Sequence, residues 1–342
     1  MHVLVTGHTG FKGAWLTLML NAQGYEVSGL ALDPQQGSLF ERAGLTEMLR
    51  TDVRQDIRLE KETVSAIREM APDLLIHMAA QPLVRTSYEQ PRWTIETNVL
   101  GTLSVLEAMA VTPSIRASLM VTTDKVYRNI GQSFGYREQD ALGGRDPYSA
   151  SKAMADILIS SWSSSFAVSP VATARAGNVI GGGDVSRDRL LPDLIRAFEA
   201  ERPATIRSPD AVRPWQHVLD CLHGYLLLLE RLQRGEGAGA WNFGPESASF
   251  RTVREVADRA AADWGQSASW MAHEGDHPHE EAVLTLDATR ARQELGWTDS
   301  LDFVTAVDWT IEWSKRVRAG ESPLAVTKNQ IAAFVERSGD RR

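Results

Sequence analysis

Short apolar, β-branched runs alternate with amphipathic stretches through the first half of the chain. Residues 3–6, 27–32, 74–78, 119–122 and 171–175 read as buried strands. Between them, residues 11–22 carry Trp15, Leu16, Met19 and Leu20 on one side of a helix. Residues 94–110 do the same with Ile95, Val99, Leu103 and Leu106. A third helix is predicted over 148–164, after Asp146-Pro147. Strands alternating with helices predict an α/β fold: a doubly wound parallel sheet with helices on both faces.

The rhythm changes near Arg175. Glycines cluster at 181–183, prolines recur between 203 and 214, and a long apolar helix passes through Leu219, Leu222, Leu226 and Leu229. Beyond Gly235 the chain is Trp-rich and polar, with one more helical pattern near 253–264. The reading is a first domain over 1–175, to which 215–243 returns. A smaller, mixed α/β domain takes 176–214 and 244–325, and a polar tail over 326–342 is expected to fray. No internal repeat or low-complexity segment is visible.

The chain has 342 residues, 43% hydrophobic and 23% charged, enough for one large or two modest cores. A formal charge of −8 argues against a general nucleic-acid binder, which needs a basic stripe. No apolar run approaches the roughly 18 residues of a membrane span. The opening run reaches Gly7 too soon for a signal peptide. Cys221 is the one cysteine, so no internal disulfide is possible and the cytoplasm is the expected compartment. His277, His279, Glu280 and Glu281 crowd around Pro278, not at helical i, i+4 spacing, and no metal is expected there.

The first strand runs into Gly7-His8-Thr9-Gly10-Phe11-Lys12-Gly13. Glycines spaced three and three let a backbone turn tightly and approach a pyrophosphate, which the following helix meets with its free N–H groups. A strand before and a helix after make this a Rossmann-type dinucleotide loop, against the alternative of a glycine-rich turn without ligand. Asp33 ends the second strand, 23 residues after Gly10. A carboxylate there accepts from a ribose 2′-hydroxyl and repels a 2′-phosphate. No arginine follows it directly, so NAD is expected over NADP. The alternative is a solvated turn aspartate beside Pro34. Asp56 and Ile57 offer a further handle for the adenine edge.

Tyr148 and Lys152 stand at i and i+4, one helical turn apart. A nearby ammonium lowers a phenol's pKa, so the pair can supply a base near neutral pH. Together with the glycine loop, this pair resembles the extended short-chain dehydrogenase/reductase superfamily. Longer stretches resemble its CDP-glucose 4,6-dehydratase family: GHTGFKG at 7–13, HMAAQPLVRTSYEQP at 77–91, TNVLGT at 97–102 and TTDKVY at 122–127. GYREQDALGGRDPYSASK at 135–152, RAGNVIGGGD at 175–184, RPWQHVLD at 213–220 and NFGPES at 242–247 continue the match.

The resemblance implies a smaller substrate-binding domain beside the NAD-binding one, and a reaction in three stages. These are oxidation of a sugar nucleotide at C4, loss of water across C5–C6, and hydride return to C6. It makes Tyr148 the C4 base, Asp124 the acid for the leaving hydroxide and Thr123 a hydrogen-bonding hydroxyl. Where related dTDP-glucose dehydratases have a glutamate as C5 base, this chain has Lys125. A lysine must lose its proton to act as a base, from a pKa of about 10.4. Lys125 is therefore either a base of depressed pKa or a cation beside Asp124. The resemblance also assigns Thr9, Phe11, Lys12, Ala79, Ala80, Gln81, Asn98, Thr122 and Arg175 to the NAD site. It implies a homodimer through the helices over 94–110 and 148–164, with Ser160, Ser161, Ser163, Ser164 and Ser165 permitting close approach.

A CDP-hexose carries a diphosphate, which bidentate guanidinium groups suit. Arg187, Arg189, Arg207 and Arg213 gather in the second domain. By resemblance Asn178, Arg187, Leu191 and Arg213 contact substrate, with Gln81 and Arg85 facing the hexose. His217 is a substrate-side or structural hydrogen-bonder, and Arg189 and Arg207 are read as surface ion pairs. Two other readings compete with a dehydratase. One is an epimerase on the same scaffold, which needs no elimination acid. The other is a non-catalytic NAD sensor, which needs no Tyr148–Lys152 pair.

Overall fold

A computed structural model describes residues 1–166, 169–273 and 284–339. Its centre is one parallel sheet of seven strands: β1 (His2–Thr6), β2 (Glu26–Ala31), β3 (Thr51–Arg54), β4 (Leu74–His77), β5 (Ala117–Val121), β6 (Val171–Ala176) and β7 (Gly239–Phe243). Their order is β7-β6-β5-β4-β1-β2-β3. The order reverses between β1 and β4, where Thr6 is in register with His77. That switch point opens a crevice at the carboxyl ends of the strands, where such sheets bind ligands.

Both faces of the sheet are covered. The helices α1 (Phe11–Ala22) and α6 (Val218–Gln233) bury Trp15, Leu16, Leu222 and Leu229 with Val3, Val5 and Leu119 on one face. On the other, α2 (Glu60–Met70), α3 (Gly101–Ala110) and α4 (Pro147–Phe166) pack Ile67, Leu106 and Ile159 on Leu4, Leu75 and Met120. A second core lies beyond the sheet. It joins α5 (Leu190–Glu199), α7 (Val253–Trp264) and the first half of α8 (Phe303–Arg318) with the short strand Ala204–Ile206. The far end of α8 reaches back, so that Trp313 and Val317 belong to the main core.

Three elements depart from the sequence pattern for identifiable reasons. β3 is a half-exposed edge strand of polar character, and β7 pairs only with β6, so neither shows a strong apolar run. The predicted helix over 94–110 contains a π turn at Glu96–Leu100, which turns Asn98 inward. The tail is helical as far as Ser338. Residues Pro323–Ser338 form α9, which sinks Val326, Ile331 and Phe334 into the main core. Trp313 donates to Thr327 Oγ1 at 2.9 Å to hold it there. The apolar positions at 326, 331 and 334 lie on one helical face, a spacing hidden by the polar residues between them.

Candidate active site

The glycine loop joins β1 to α1 at the switch point. Gly7 has φ of 75°, in the left-handed region, and a Cβ there would stand 2.7 Å from Ala79 N. A Cβ on Gly13 would stand 2.3 Å from Gly7 O. The loop and the start of α1 are thus packed backbone on backbone, which leaves no room for side chains. Gly10 N donates to Gly7 O at 3.1 Å, and the Thr9 hydroxyl donates to Leu32 O at 3.0 Å. Phe11 lies against Gly181, from the loop of the second layer. Lys12 is half-buried and donates to the Tyr225 hydroxyl at 3.3 Å, and desolvation lowers its pKa. His8 is also buried. It contacts Asp52 Oδ1 at 2.9 Å, and desolvation lowers its pKa against the pull of that carboxylate.

Asp33 stands at the end of β2 with its side chain 88% exposed, open to a ligand. The structure adds a neighbour that sequence distance concealed. Arg54, at the end of β3, approaches Asp33 at 3.9 Å while donating to Asp52 at 2.7 Å. Asp56 is paired with Arg58 at 2.6 Å; burial would raise its pKa, but the hydrogen bonds and charge of Arg58 hold it below the usual value. Ile57 is buried against Gly101. Ala79 and Ala80 lie half-buried in the loop after β4, and Ala79 N donates to Thr6 Oγ1.

Several expected ligand contacts prove to be internal. The Gln81 side chain is buried and turned back on its own loop, donating to Thr94 Oγ1 and to Leu83 O, so it does not face a hexose. Asn98 commits its amide to Gln81 N, Gln81 O and Ser151 Oγ, and so shapes that loop. The Thr122 hydroxyl donates to Asp156. Arg175 is buried in β6, paired with Asp156 and bonded to Tyr127 and to Glu138 O, which uses the guanidinium inside the protein. His217 is the N-cap of α6: its Nδ1 accepts from Leu219 N at 3.3 Å, and its ring lies between Trp15 and Trp309. Burial lowers its pKa to about 3. Arg187 is exposed and lies outside the cavity lining.

That cavity, about 370 Å³, opens between the ends of β5 and β6 and the second layer. Thr123, Asp124, Lys125 and Tyr148 meet in it with Arg85, Asn178, Leu191 and Arg213. Arg189 and Arg207 line it too, each in an ion pair, with Asp184 at 3.7 Å and Asp188 at 3.6 Å. The expected ion pairs thus exist, but at the wall of the cavity and not on the outer surface.

Tyr148 sits in the first turn of α4. Asp146 Oδ1 accepts from Ser149 N at 2.9 Å to start the helix, and the Tyr148 N–H donates to Ser87 Oγ. The phenol is not the base near neutral pH that the spacing predicts: burial raises its pKa to about 12, even though Thr123 hydrogen-bonds it and Arg189 attracts its anion. One turn on, Lys152 Nζ donates to Val121 O at 2.9 Å. Burial and the charge of Lys12 bring Lys152 down to about 8. Asp124 is 3% exposed and accepts from the Thr123 hydroxyl at 2.9 Å. Burial raises its pKa, against the opposing pull of Lys125, Thr123 and Arg213. A carboxyl of raised pKa and a phenol therefore share one dry corner under an arginine-rich mouth.

Two contributors escaped the sequence reading. Asp156 lies eight residues after Tyr148, on the same face of α4, and that spacing was an available signal. Asp188 had none, because its partners come from distant segments. The histidines and glutamates near Pro278 fall outside the described residues. Among those described, no cluster of potential metal ligands is present, and no helix is long and apolar enough to cross a membrane.

A switch-point crevice with a glycine cradle, joined to a Tyr148–Lys152 helix face, defines a Rossmann-fold enzyme of the extended short-chain dehydrogenase/reductase class. Within that class the GDP-mannose 4,6 dehydratase family model matches residues 4–310, and the chain belongs to that family. It is 42% identical to the CDP-glucose 4,6-dehydratase of Salmonella typhimurium, over 97% of this chain and 96% of that one. The dTDP-glucose 4,6-dehydratase of Xanthomonas campestris pv. campestris is 28% identical over 91% and 92%. Among solved structures, the dTDP-glucose 4,6-dehydratase DesIV of Streptomyces venezuelae, with NAD bound, superposes with a TM-score of 0.80. It is 26% identical, over 95% of this chain and 100% of that one. A UDP-glucose-4-epimerase of Stenotrophomonas maltophila reaches 0.83 at 22% identity, over 94% and 100%, a likeness of fold.

Proposed function

We propose that the chain is an NAD-dependent hydro-lyase that converts CDP-D-glucose to CDP-4-dehydro-6-deoxy-D-glucose. The observation that carries this reading is Asp124, a buried carboxyl of raised pKa in the same cavity as Tyr148. An epimerase on this scaffold has no departing hydroxide to protonate and gains nothing from such a group. The 42% likeness to a CDP-glucose dehydratase supports the nucleotide.

The cradle formed by Gly7, Gly10 and Gly13 fits a dinucleotide pyrophosphate, and the exposed Asp33 fits a ribose hydroxyl. Bound there, NAD supplies the hydride acceptor for C4 and, later, the hydride donor for C6. The rest falls to side chains. Tyr148 takes the proton of the 4-hydroxyl, with Thr123 sharing its hydrogen bond and Lys152 holding positive charge one turn below. The C4 ketone acidifies the C5 hydrogen, a base in the cavity takes that proton, and the electron pair left at C5 expels the 6-hydroxyl; the proton returns to C5 when hydride reaches C6. Asp124 donates its proton to that hydroxyl, which leaves as water. Lys125, next to Asp124 in the cavity, either is that base or steadies the developing enolate. Arg189, Arg207 and Arg213 hold the diphosphate.

Incubation with CDP-, dTDP-, UDP- and GDP-glucose tests the reading. A dehydratase gives a product one water lighter, selectively from CDP-glucose; a product of unchanged mass points to epimerisation. Lys125→Met that still exchanges solvent deuterium into C5 at full rate would remove Lys125 from any role as base. The reading includes a homodimer in the cytoplasm. Met154, Ile157, Ser160, Ser161 and Ser164 form an exposed face of α4, beside exposed Ile95 and Leu100. The lone Cys221 is buried and free, which fits a reducing compartment. Sedimentation equilibrium of the whole chain, expected at twice the monomer mass, checks the dimer.

A further inference from the structure

One ion pair at the mouth of the cavity reaches across it. Asp188 lies just before α5, with φ of 59°, a left-handed conformation that Asp and Asn tolerate. Its Oδ1 accepts from Arg85 Nη1 at 2.8 Å and faces Arg207 Nη2 at 3.6 Å. Arg85 belongs to the helix Val84–Glu89, on the sheet side, 103 residues away from Asp188 in the chain. Arg207 follows the strand Ala204–Ile206 of the second layer. One carboxylate therefore joins cations from both walls, and all three side chains line the cavity.

We propose that Asp188 is an internal counter-ion occupying a place that an anionic group of the substrate's diphosphate takes, so that substrate entry exchanges a carboxylate for a phosphate on Arg85 and Arg207. The inference rests on the nucleotide-sugar reading above. Arg85, exposed at the mouth, and the half-buried Arg207 repel without an anion between them, and a carboxylate keeps both turned to the cleft. A diphosphate brings more charge and more acceptor oxygens in the geometry that guanidinium forks match, so it prevails over a single carboxylate. A weaker anion does not. Asp188 thereby sets a threshold for what enters, and it weakens apparent substrate affinity while the arginines stay aligned.

Asp188→Asn in the full chain tests this, because Asn tolerates the same backbone conformation. CDP is the probe, titrated calorimetrically at low and high salt, alongside steady-state turnover of CDP-glucose. CDP is expected to bind about two- to fivefold tighter to the variant, a gain that shrinks as salt screens the pair. KM for CDP-glucose should fall in step, with kcat moving less than KM. On an Arg85→Gln background the same substitution should gain less. Looser or unchanged CDP binding in Asp188→Asn overturns the proposal, and so does failure of both proteins to bind CDP. Binding is read without turnover. A wild-type chain that binds CDP but releases no dehydrated product would sink the dehydratase reading alone.

Discussion

Arg175 and Asp156 form a two-point ion pair beneath the active centre, Nη2 to Oδ1 at 2.6 Å and Nε to Oδ2 at 2.9 Å, with both side chains buried. Asp156 also accepts from Thr122, so the pair ties β6, α4 and the end of β5 to one point. The next residues along the chain are Thr123 and Asp124. Arg175→Met should leave a buried carboxylate without its partner, at a cost of about 3–5 kcal/mol. Arg175→Met with Asp156→Leu should recover much of that loss, read as the urea midpoint. Equal losses in the single and double variants would assign the effect to packing instead of charge.

This pair also shows where sequence reasoning reaches and where it stops. The glycine loop and the Tyr148–Lys152 spacing were legible because each is local: a turn, a helix start and one helical turn carry their own geometry. Arg175 and Gln81 were assigned to ligands by resemblance, and His217 to a substrate-side or structural role; all three are engaged inside the protein. Asp156 meets Arg175 from another element, whereas Gln81 turns back to Leu83 and Thr94 and His217 caps its own helix at Leu219, contacts that no periodic spacing signals. Arg189 and Arg207 were read as surface ion pairs because nothing local says that the ion pairs line a cavity. β3 and β7 were missed because edge strands need no continuous apolar run.

α9 gives a direct measure of the misread tail. Phe334 is buried in the main core, whereas Lys328 on the same helix is exposed. Phe334→Ala should cost about 3–5 kcal/mol. Lys328→Ala should stay within about 0.5 kcal/mol of wild type. Matching thermal unfolding curves for the two would mean that α9 does not dock.

The glycine cradle predicts an order of severity. A Cβ on Gly13 would meet backbone at 2.3 Å, and one on Gly10 would meet Gly7 O at 3.3 Å. Gly13→Ala must displace the loop, so NAD affinity should fall about ten- to hundredfold. Gly10→Ala needs only a few tenths of an ångström and should cost less. Fluorescence titration with NAD gives both values, and a milder Gly13→Ala would contradict the packing.

Lys152 sets a pH limit. With its pKa brought down to about 8, it is a cation below that pH and neutral above. Rate should therefore decline as pH rises through about 8. Lys152→Met should lack this limb and lose about a hundredfold or more. Stability runs the opposite way. From about 10.5 down to about 8 the unfolded chain binds the proton first, so this group's contribution falls as pH falls and is fully unfavourable below about 8. Lys152→Met should thus unfold at higher denaturant than wild type at neutral pH, with an advantage that fades above about pH 10. A Lys152→Met variant equal to wild type in stability at pH 7 would contradict the desolvation.

Asp124 separates the first stage of the proposed reaction from the second. Burial raises its pKa, so the acid form persists above the usual carboxylate range and is lost as pH climbs. Asp124→Asn keeps the volume and cannot donate a proton of comparable acidity. Tyr148, Thr123 and the glycine cradle are untouched, so oxidation at C4 should continue. The variant should accumulate a 4-keto sugar that retains its 6-hydroxyl, while dehydrated product falls about 10²- to 10⁴-fold. Mass spectrometry of quenched reactions distinguishes the two species by one oxygen atom, since the ketone has lost two hydrogens from the substrate and the dehydrated product one water. In wild type the elimination step should slow as Asp124 ionises, and in Asp124→Asn that slope should vanish. Dehydration at an undiminished rate in Asp124→Asn would move the acid role to another group, with Lys125 next in the cavity.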